Sequence, residues 1–241
     1  MRRAYISTVN YKFERIEKKF WMSGEQYSAL LPVLRSRLRY DDFGVSTVCN
    51  IYYDTPDFAL IRRSIERPPF KEKLRLRSYG IPTDDDRVFV EIKRKLNGIG
   101  YKRRICLPFG EAKKLLRGET IECGNPQIEE ELLAFIARYH PQPMVYLTYQ
   151  RYAMTAEDDQ EFRVTMDRDL RYRTSDVENP SEEGMRAIME DESAVLMEIK
   201  ALGAIPPWLT DEMSRLKIYQ APFSKVGTCY LRHIAPILKN F

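Results

Sequence analysis

FKEKLRLRSY, residues 70–79, decides how the rest of the chain is read. With the two-residue period of a strand, Lys71, Lys73, Arg75 and Arg77 project to one side, and Phe70, Glu72, Leu74 and Leu76 to the other. One face of this strand asks for an anion, the other for a packed core.

The neighbouring segments extend the pattern. RVFVEIKRK (87–95) and GYKRRICLPF (100–109) are strand-like, and the short polar or glycine-bearing links predict an antiparallel meander. Residues 9–20, VSTVCNIYYD (45–54), MVYLTYQRYAM (144–154), FRVTMDRDL (162–170) and AVLMEIKAL (194–202) predict five more strands. Helices are predicted over 23–38, opened by a Ser23–Gln26 capping box, from Thr55 to Pro68, over 110–118 and 126–139, from Pro206 to about Leu216, and after Pro222. The acidic, turn-forming stretch 175–193 reads as an exposed excursion. The expected fold class is α+β: an antiparallel β-barrel of about eight strands forming a tunnel, flanked by helices, in one domain over residues 1–241. In such a barrel the cations line the lumen, while Leu74, Leu76, Val88, Val90 and Ile92 face outwards against helices.

Composition bounds the rest. The 241 residues are 44% hydrophobic, enough for a substantial core, and 39 Lys and Arg against 35 acidic residues leave a net charge of +4. That is a mild lean towards anionic partners. No apolar run reaches a membrane span and the N-terminal residues lack a secretory core, so the expectation is a cytoplasmic chain with no membrane segment. No long exposed apolar stripe asks for a partner, and the expected state is a monomer. Cys49, Cys106, Cys123 and Cys229 form no CxxC pair and read as reduced structural thiols; His140 and His233 have no metal-ligand spacing. No GxGxxG or GxxxxGK[ST] is present, so neither a Rossmann nor a P-loop nucleotide site is supported.

Applied to every strand, the same period aligns Arg15, Glu17 and Lys19; Glu91, Lys93 and Lys95; Lys102 and Arg104; Tyr149 and Arg151; Arg163, Thr165 and Asp167; and Glu198 and Lys200. A solvated face explains any one strand, but it ordinarily mixes signs. Like charges about 5 Å apart repel by roughly 3 kcal/mol at an effective dielectric near 20, so a concave wall of cations calls for an anion. Arginine forks and lysine point charges suit a chain of phosphates. Glu17, Glu91 and Glu198 then serve either as oxygen ligands for Mg²⁺ or Mn²⁺ or as ion-pair partners of the lysine two residues on.

These residues resemble the triphosphate tunnel metalloenzymes, the CYTH-like superfamily, and within them the VTC domain, the polyphosphate polymerase module of the vacuolar transporter chaperone. FERIEKKFW, IYYDT, LRLRSYG, FVEIKRK, the YQR of residues 149–151, FRVTMD and FSKVG carry the likeness along nearly the whole chain. The resemblance implies a tunnel in which Lys19, Arg75, Arg77, Lys93, Lys102, Arg151, Arg163 and Lys225 contact phosphates. Tyr149, Lys200, Arg104 and Lys73 would add substrate contacts, and Glu198 would hold the divalent metal. It implies transfer of the terminal phosphoryl group of ATP to polyphosphate, with Mn²⁺ or Mg²⁺ as cofactor. Hydrolytic members of the superfamily usually carry ExExK, and here Arg15 replaces the first carboxylate, as in the VTC branch. The sequence also lacks the sensing domain and membrane helices of the eukaryotic complex, resembling free-standing bacterial forms. Two alternatives stay open: a tripolyphosphate or nucleoside triphosphate hydrolase in the same tunnel, and a non-catalytic binder of polyphosphate or nucleic acid. Nucleic acid is not the expected partner, because no recognition helix or RNP-like aromatic pattern is present.

Overall fold

The computed structural model describes residues 15–121, 124–159 and 161–238. Residues 9–14 of the first predicted strand, the side chain of Arg15, and Cys123 lie outside it. The chain runs β1 (Arg15–Met22), α1 (Gly24–Arg37), β2 (Arg39–Asp54), α2 (Ala59–Ile65), β3 (Phe70–Tyr79), β4 (Arg87–Leu96), β5 (Ile99–Pro108), α3 (Phe109–Leu116) and α4 (Pro126–Tyr139). It continues through β6 (Gln142–Thr155), β7 (Arg163–Arg173), the two-residue β8 (Arg186–Ala187), β9 (Val195–Leu202) and α5 (Pro207–Arg215). The C-terminal helix starts as α6 (Lys225–Cys229), passes through a π-helical turn (Tyr230–Ile234) and ends as α7 (Ala235–Leu238).

The long strands form one antiparallel sheet in the order β1-β9-β7-β6-β2-β3-β4-β5, with β8 pairing β7. The α+β class and the eight long strands agree with expectation. One feature differs: among the described residues β1 pairs with β9 and β5 with β4, so no ladder joins β1 to β5, and the sheet is a curled half-barrel rather than a hydrogen-bonded ring.

Parity builds the layers. On the convex side, Leu74, Leu76, Val88, Val90, Ile92, Ile105 and Leu107 pack under α3 and α4. Met154, Val164, Met166, Val195, Met197 and Ile199 pack under α1 and α5. Helix α1 begins where the sequence pattern placed it, because Ser23 and Gln26 exchange side-chain to backbone hydrogen bonds of 2.9 and 3.2 Å. Helix α4 opens on Asn125 with Pro126 in its first turn and stops at His140, whose φ of 44° is left-handed.

The concave side is divided, with cations lining one part of it and apolar residues the other. Val48, Tyr52, Val145, Leu147, Leu170 and Tyr172 form a third apolar cluster, and the C-terminal helix covers them with Val226, Cys229, Tyr230 and Ile234. A bulge makes this possible. The β6–β7 register shifts between Thr148 and Gln150, and Asp169 opposite has φ 50°, so the inward set of β7 changes from Arg163, Thr165 and Asp167 to Leu170 and Tyr172. No helix among the described residues is long and apolar enough to cross a membrane.

Leu132 is fully buried in the cluster that seats α4 on the sheet. Leu132→Ala should cost about 2–5 kcal/mol, read as a lowered urea midpoint at unchanged slope. A loss under about 1 kcal/mol, outside the usual range for buried leucine, would mean that α4 is not seated in this way.

Candidate active site

The rest of the concave side is where the cations meet, organised around three carboxylate centres. Glu91 on β4 is fully buried; its Oε2 accepts a 2.6 Å hydrogen bond from Arg75 Nε, and its Oε1 lies 2.5 Å from Lys102 Nζ and 3.7 Å from Arg104 Nε. Cross-strand register explains the set, since Arg75 and Arg104 are the partners of Glu91 on either side. Asp167 on β7, also fully buried, takes Arg151 through both carboxylate oxygens at 2.7 and 2.8 Å and Lys225 at 2.5 Å. At the β1–β9 ladder Glu17 faces Lys200 and Lys19 faces Glu198. Glu198 lies 3.0 Å from Lys200 and 3.6 Å from Lys19, and Glu17 3.7 and 4.0 Å from Lys19 and Lys200.

All three buried carboxylates are ionised. Burial works to raise each, but neighbouring cations outweigh it: Arg75 and Lys102 hold Glu91 at about 2, Lys200 and Lys19 hold Glu198 at about 2, and Lys225 and Arg151 hold Asp167 below the usual carboxylate range.

Arg77 and Lys73 have neutral partners instead. Arg77 donates from Nε to Asn50 Oδ1 at 3.0 Å and from Nη2 to the Tyr149 hydroxyl at 2.9 Å. Lys73 donates to Ser224 Oγ at 3.2 Å. Lys93 is the direct cross-strand partner of Lys73, and no carboxylate among the described residues pairs with it. Lys93 is exposed to solvent; desolvation by its surroundings, then the charges of Arg75 and Arg77, lower its ammonium from the usual lysine range. Burial acts to raise the nearby Tyr52 phenol, but Arg75 and Arg77 outweigh it and lower it.

The segment Phe223–Lys225 draws the wall together. Lys19 donates to the Phe223 carbonyl at 3.4 Å, Lys73 to Ser224, and Lys225 to Asp167, while Trp21 stacks on Phe223 with centroids 5.0 Å apart.

The sequence-derived residues divide as follows. Lys19, Lys73, Arg75, Arg77, Lys93, Lys102, Arg104, Tyr149, Arg151, Glu198, Lys200 and Lys225 fall into these connected clusters. Arg163, opposite Lys200, is paired at 2.6 Å with Asp41 and is partly exposed. The three glutamates do not make one ligand set: Glu17 and Glu198 share two lysines, Glu91 is enclosed by Arg75 and Lys102, and no group of three or more metal-binding side chains occurs among the described residues. Sequence reading gave no role to Asn50, Asp167 or Ser224. For Asn50 the signal was there: it is a polar residue at an inward position of a strand with apolar neighbours.

Known proteins share this arrangement of sequence. The VTC domain signature matches residues 14–233. The chain belongs to the VTC domain family. Subunit 4 of the vacuolar transporter chaperone complex from Trypanosoma brucei brucei is 27% identical, and that from Trypanosoma cruzi 26%, each aligning with 80% of this chain. This VTC chain spans only 29% of the length of those relatives. Among solved structures, the PH1819 protein from Pyrococcus horikoshii OT3 aligns with 95% of this chain and all of its own at TM-score 0.47 and 11% identity. A conserved hypothetical protein from Pyrococcus furiosus aligns with 88% of this chain and 97% of its own at TM-score 0.43 and 11% identity.

Two outcomes follow from the neutral partners. Asn50→Asp gives Arg77 an internal counter-charge, and tripolyphosphate affinity measured by calorimetry should fall about tenfold, the scale of one charge-assisted contact; unchanged affinity would remove Arg77 from the anion site. Desolvation, then the charges of Arg75 and Arg77, hold the Lys93 ammonium below the usual lysine range. An anion raises its pKa, so tripolyphosphate binding at pH 7.5 should take up protons, seen as a dependence of binding heat on buffer ionisation enthalpy. Lys93→Met should abolish that part of the uptake, the difference separating the lysine from titration of the phosphate itself.

Proposed function

We propose that the concave site binds ATP and a phosphate chain and transfers the terminal phosphoryl group of ATP to the end of the chain, making the protein a metal-dependent polyphosphate polymerase. The observation that carries this reading is the group Arg77, Lys73 and Lys93: inward-facing basic side chains with no carboxylate among the described residues within ion-pair distance, in a wall where Arg75, Lys102, Arg151 and Lys225 are held by carboxylates. Family membership and the likeness to subunit 4 of the vacuolar transporter chaperone complex support it.

Phosphoryl transfer of this kind needs no protein nucleophile. It needs the attacking and leaving oxygens in line and the charge on the transferred group stabilised. Arg75, fixed by Glu91, and Arg151, fixed by Asp167, present guanidinium groups that do not have to be ordered when the substrate arrives. Arg77, Lys73 and Lys93 receive the phosphate charge. Lys19, Lys102, Lys200 and Lys225 supply further cations along the chain, with Arg104 and Arg163 as outlying contacts and Tyr149 as the hydroxyl that orients Arg77.

The carboxylates of Glu198 and Glu17 are hard oxygen donors of the kind Mg²⁺ and Mn²⁺ take, and they lie together on adjacent strands. These two would hold the ion, with the remaining ligands coming from phosphate oxygens and water. Glu91 is left as the counter-ion of Arg75 and Lys102. When bound, the metal neutralises charge on phosphate oxygens during transfer.

Incubation with labelled ATP and Mn²⁺ should give a ladder of long phosphate chains. Free phosphate alone would make the protein a hydrolase, and neither product would leave a binder. Arg75→Ala and Arg77→Ala should each lower turnover about 100-fold or more while the folded spectrum persists; normal turnover in either would remove it from the site. Glu198→Gln should shift the metal titration to higher concentration, and an unmoved titration would make Glu198 an ion-pair residue only.

A further inference from the structure

The three carboxylate centres differ in what they tie together. Glu91 links strands adjacent in one meander, and Glu17 with Glu198 links one ladder. Asp167 links β7 to Arg151 on β6 and to Lys225 at the start of the C-terminal helix, 58 residues away in sequence. Both of its cations also rest on one ring: Lys225 Nζ lies 4.4 Å and the Arg151 guanidinium 5.2 Å from the centroid of Tyr149, whose hydroxyl receives Arg77. Remove the carboxylate, and two like charges beside one ring repel without the counter-charge that now directs them.

We infer that Asp167 is a positioning residue for phosphoryl transfer: it holds Arg151 and Lys225 in fixed directions around Tyr149 and fastens the C-terminal helix to the site. Asp167 does not touch substrate. It acts through the two cations, at the expense of placing a negative charge in a site that receives phosphates. Its effect is therefore double-edged. Preorganised cations favour the transition state, whereas the buried carboxylate weakens ground-state binding of the anion.

This inference rests on the polymerase reading and is separable from it. In Asp167→Asn, tripolyphosphate should bind roughly 3- to 10-fold tighter, the scale of one unit charge removed about 10 Å away at intermediate dielectric. Turnover of ATP into chains by the metal-supplied protein should fall at least tenfold, with KM falling alongside kcat. A merely structural carboxylate would instead give weaker binding together with a lower melting temperature, and that result, or kcat within twofold of wild type, overturns the inference. If Asp167→Asn does not fold, Asp167→Asn/Lys225→Met removes one charge of each sign. Its kcat should fall below that of Lys225→Met alone, because Arg151 then loses its carboxylate as well; a kcat equal to that of Lys225→Met would overturn the inference. Wild-type protein that neither binds tripolyphosphate nor forms chains would refute the polymerase reading itself, whatever the variants do.

Discussion

A sheet that turns cations from seven strands towards one another is held together by the carboxylates buried among them. Glu91, Asp167 and Glu198 each lie between two or more basic groups, and each is ionised because those groups outweigh the cost of burial. Two unit charges about 5 Å apart interact by roughly 3 kcal/mol at an effective dielectric near 20, so an uncompensated wall of this kind would work against its own curvature. The carboxylates offset that repulsion locally and set the direction of each side chain. Removing one partner of a buried pair is costly for the same reason, because a charge is left without its counter-ion.

Compensation is incomplete, and the gaps are localised. Asn50, Tyr149 and Ser224 satisfy the donors of Arg77 and Lys73 without cancelling their charge, and Lys93 stands opposite Lys73 in the register. A neutral acceptor orients a cation and leaves its field available. Between β3 and β4 the wall therefore keeps charge that Glu91, Asp167 and Glu198 offset elsewhere in the site. The depressed ammonium of Lys93 follows from the same crowding.

Much of this was legible in residues 70–79, where period-two alternation separates Lys73, Arg75 and Arg77 from Leu74 and Leu76, as the two faces of β3 do. The Ser23–Gln26 capping box and the proline-led starts of α4 and α5 were equally readable, because those signals are local. What needed coordinates was non-local. The bulge at Asp169 changes which residues of β7 face inwards, and a positive φ leaves no mark in the sequence when the residue is not glycine. Strand β8 hides in the excursion 175–193 because two residues show no period. A glutamate two positions before a lysine looks alike at Glu91 and Glu198. Register separates them: Glu91 meets Arg75 and Arg104 across its ladders, whereas Glu198 meets Lys19 and lies beside the second carboxylate, Glu17.

The same distinction accounts for how a half-barrel encloses its contents. In strand order β9, β7, β6 and β2 separate β1 from β3, and no backbone ladder among the described residues brings the two ends round. Yet Lys19 of β1 and Lys73 of β3 donate to consecutive residues, Phe223 and Ser224, and the next residue, Lys225, is held by Asp167 of β7. The strap continues into a helix whose apolar face covers the inner cluster of β2, β6 and β7. Hydrophobic burial by Val226, Cys229, Tyr230 and Ile234 thus places the strap, and the strap gathers cations from strands that do not touch. Enclosure by side chains differs from enclosure by a ladder in one respect that matters for chemistry. Lys19 is held by a backbone carbonyl beside its ion pairs with Glu198 and Glu17, whereas Lys73 is held by a hydroxyl, a neutral acceptor that leaves its charge uncompensated.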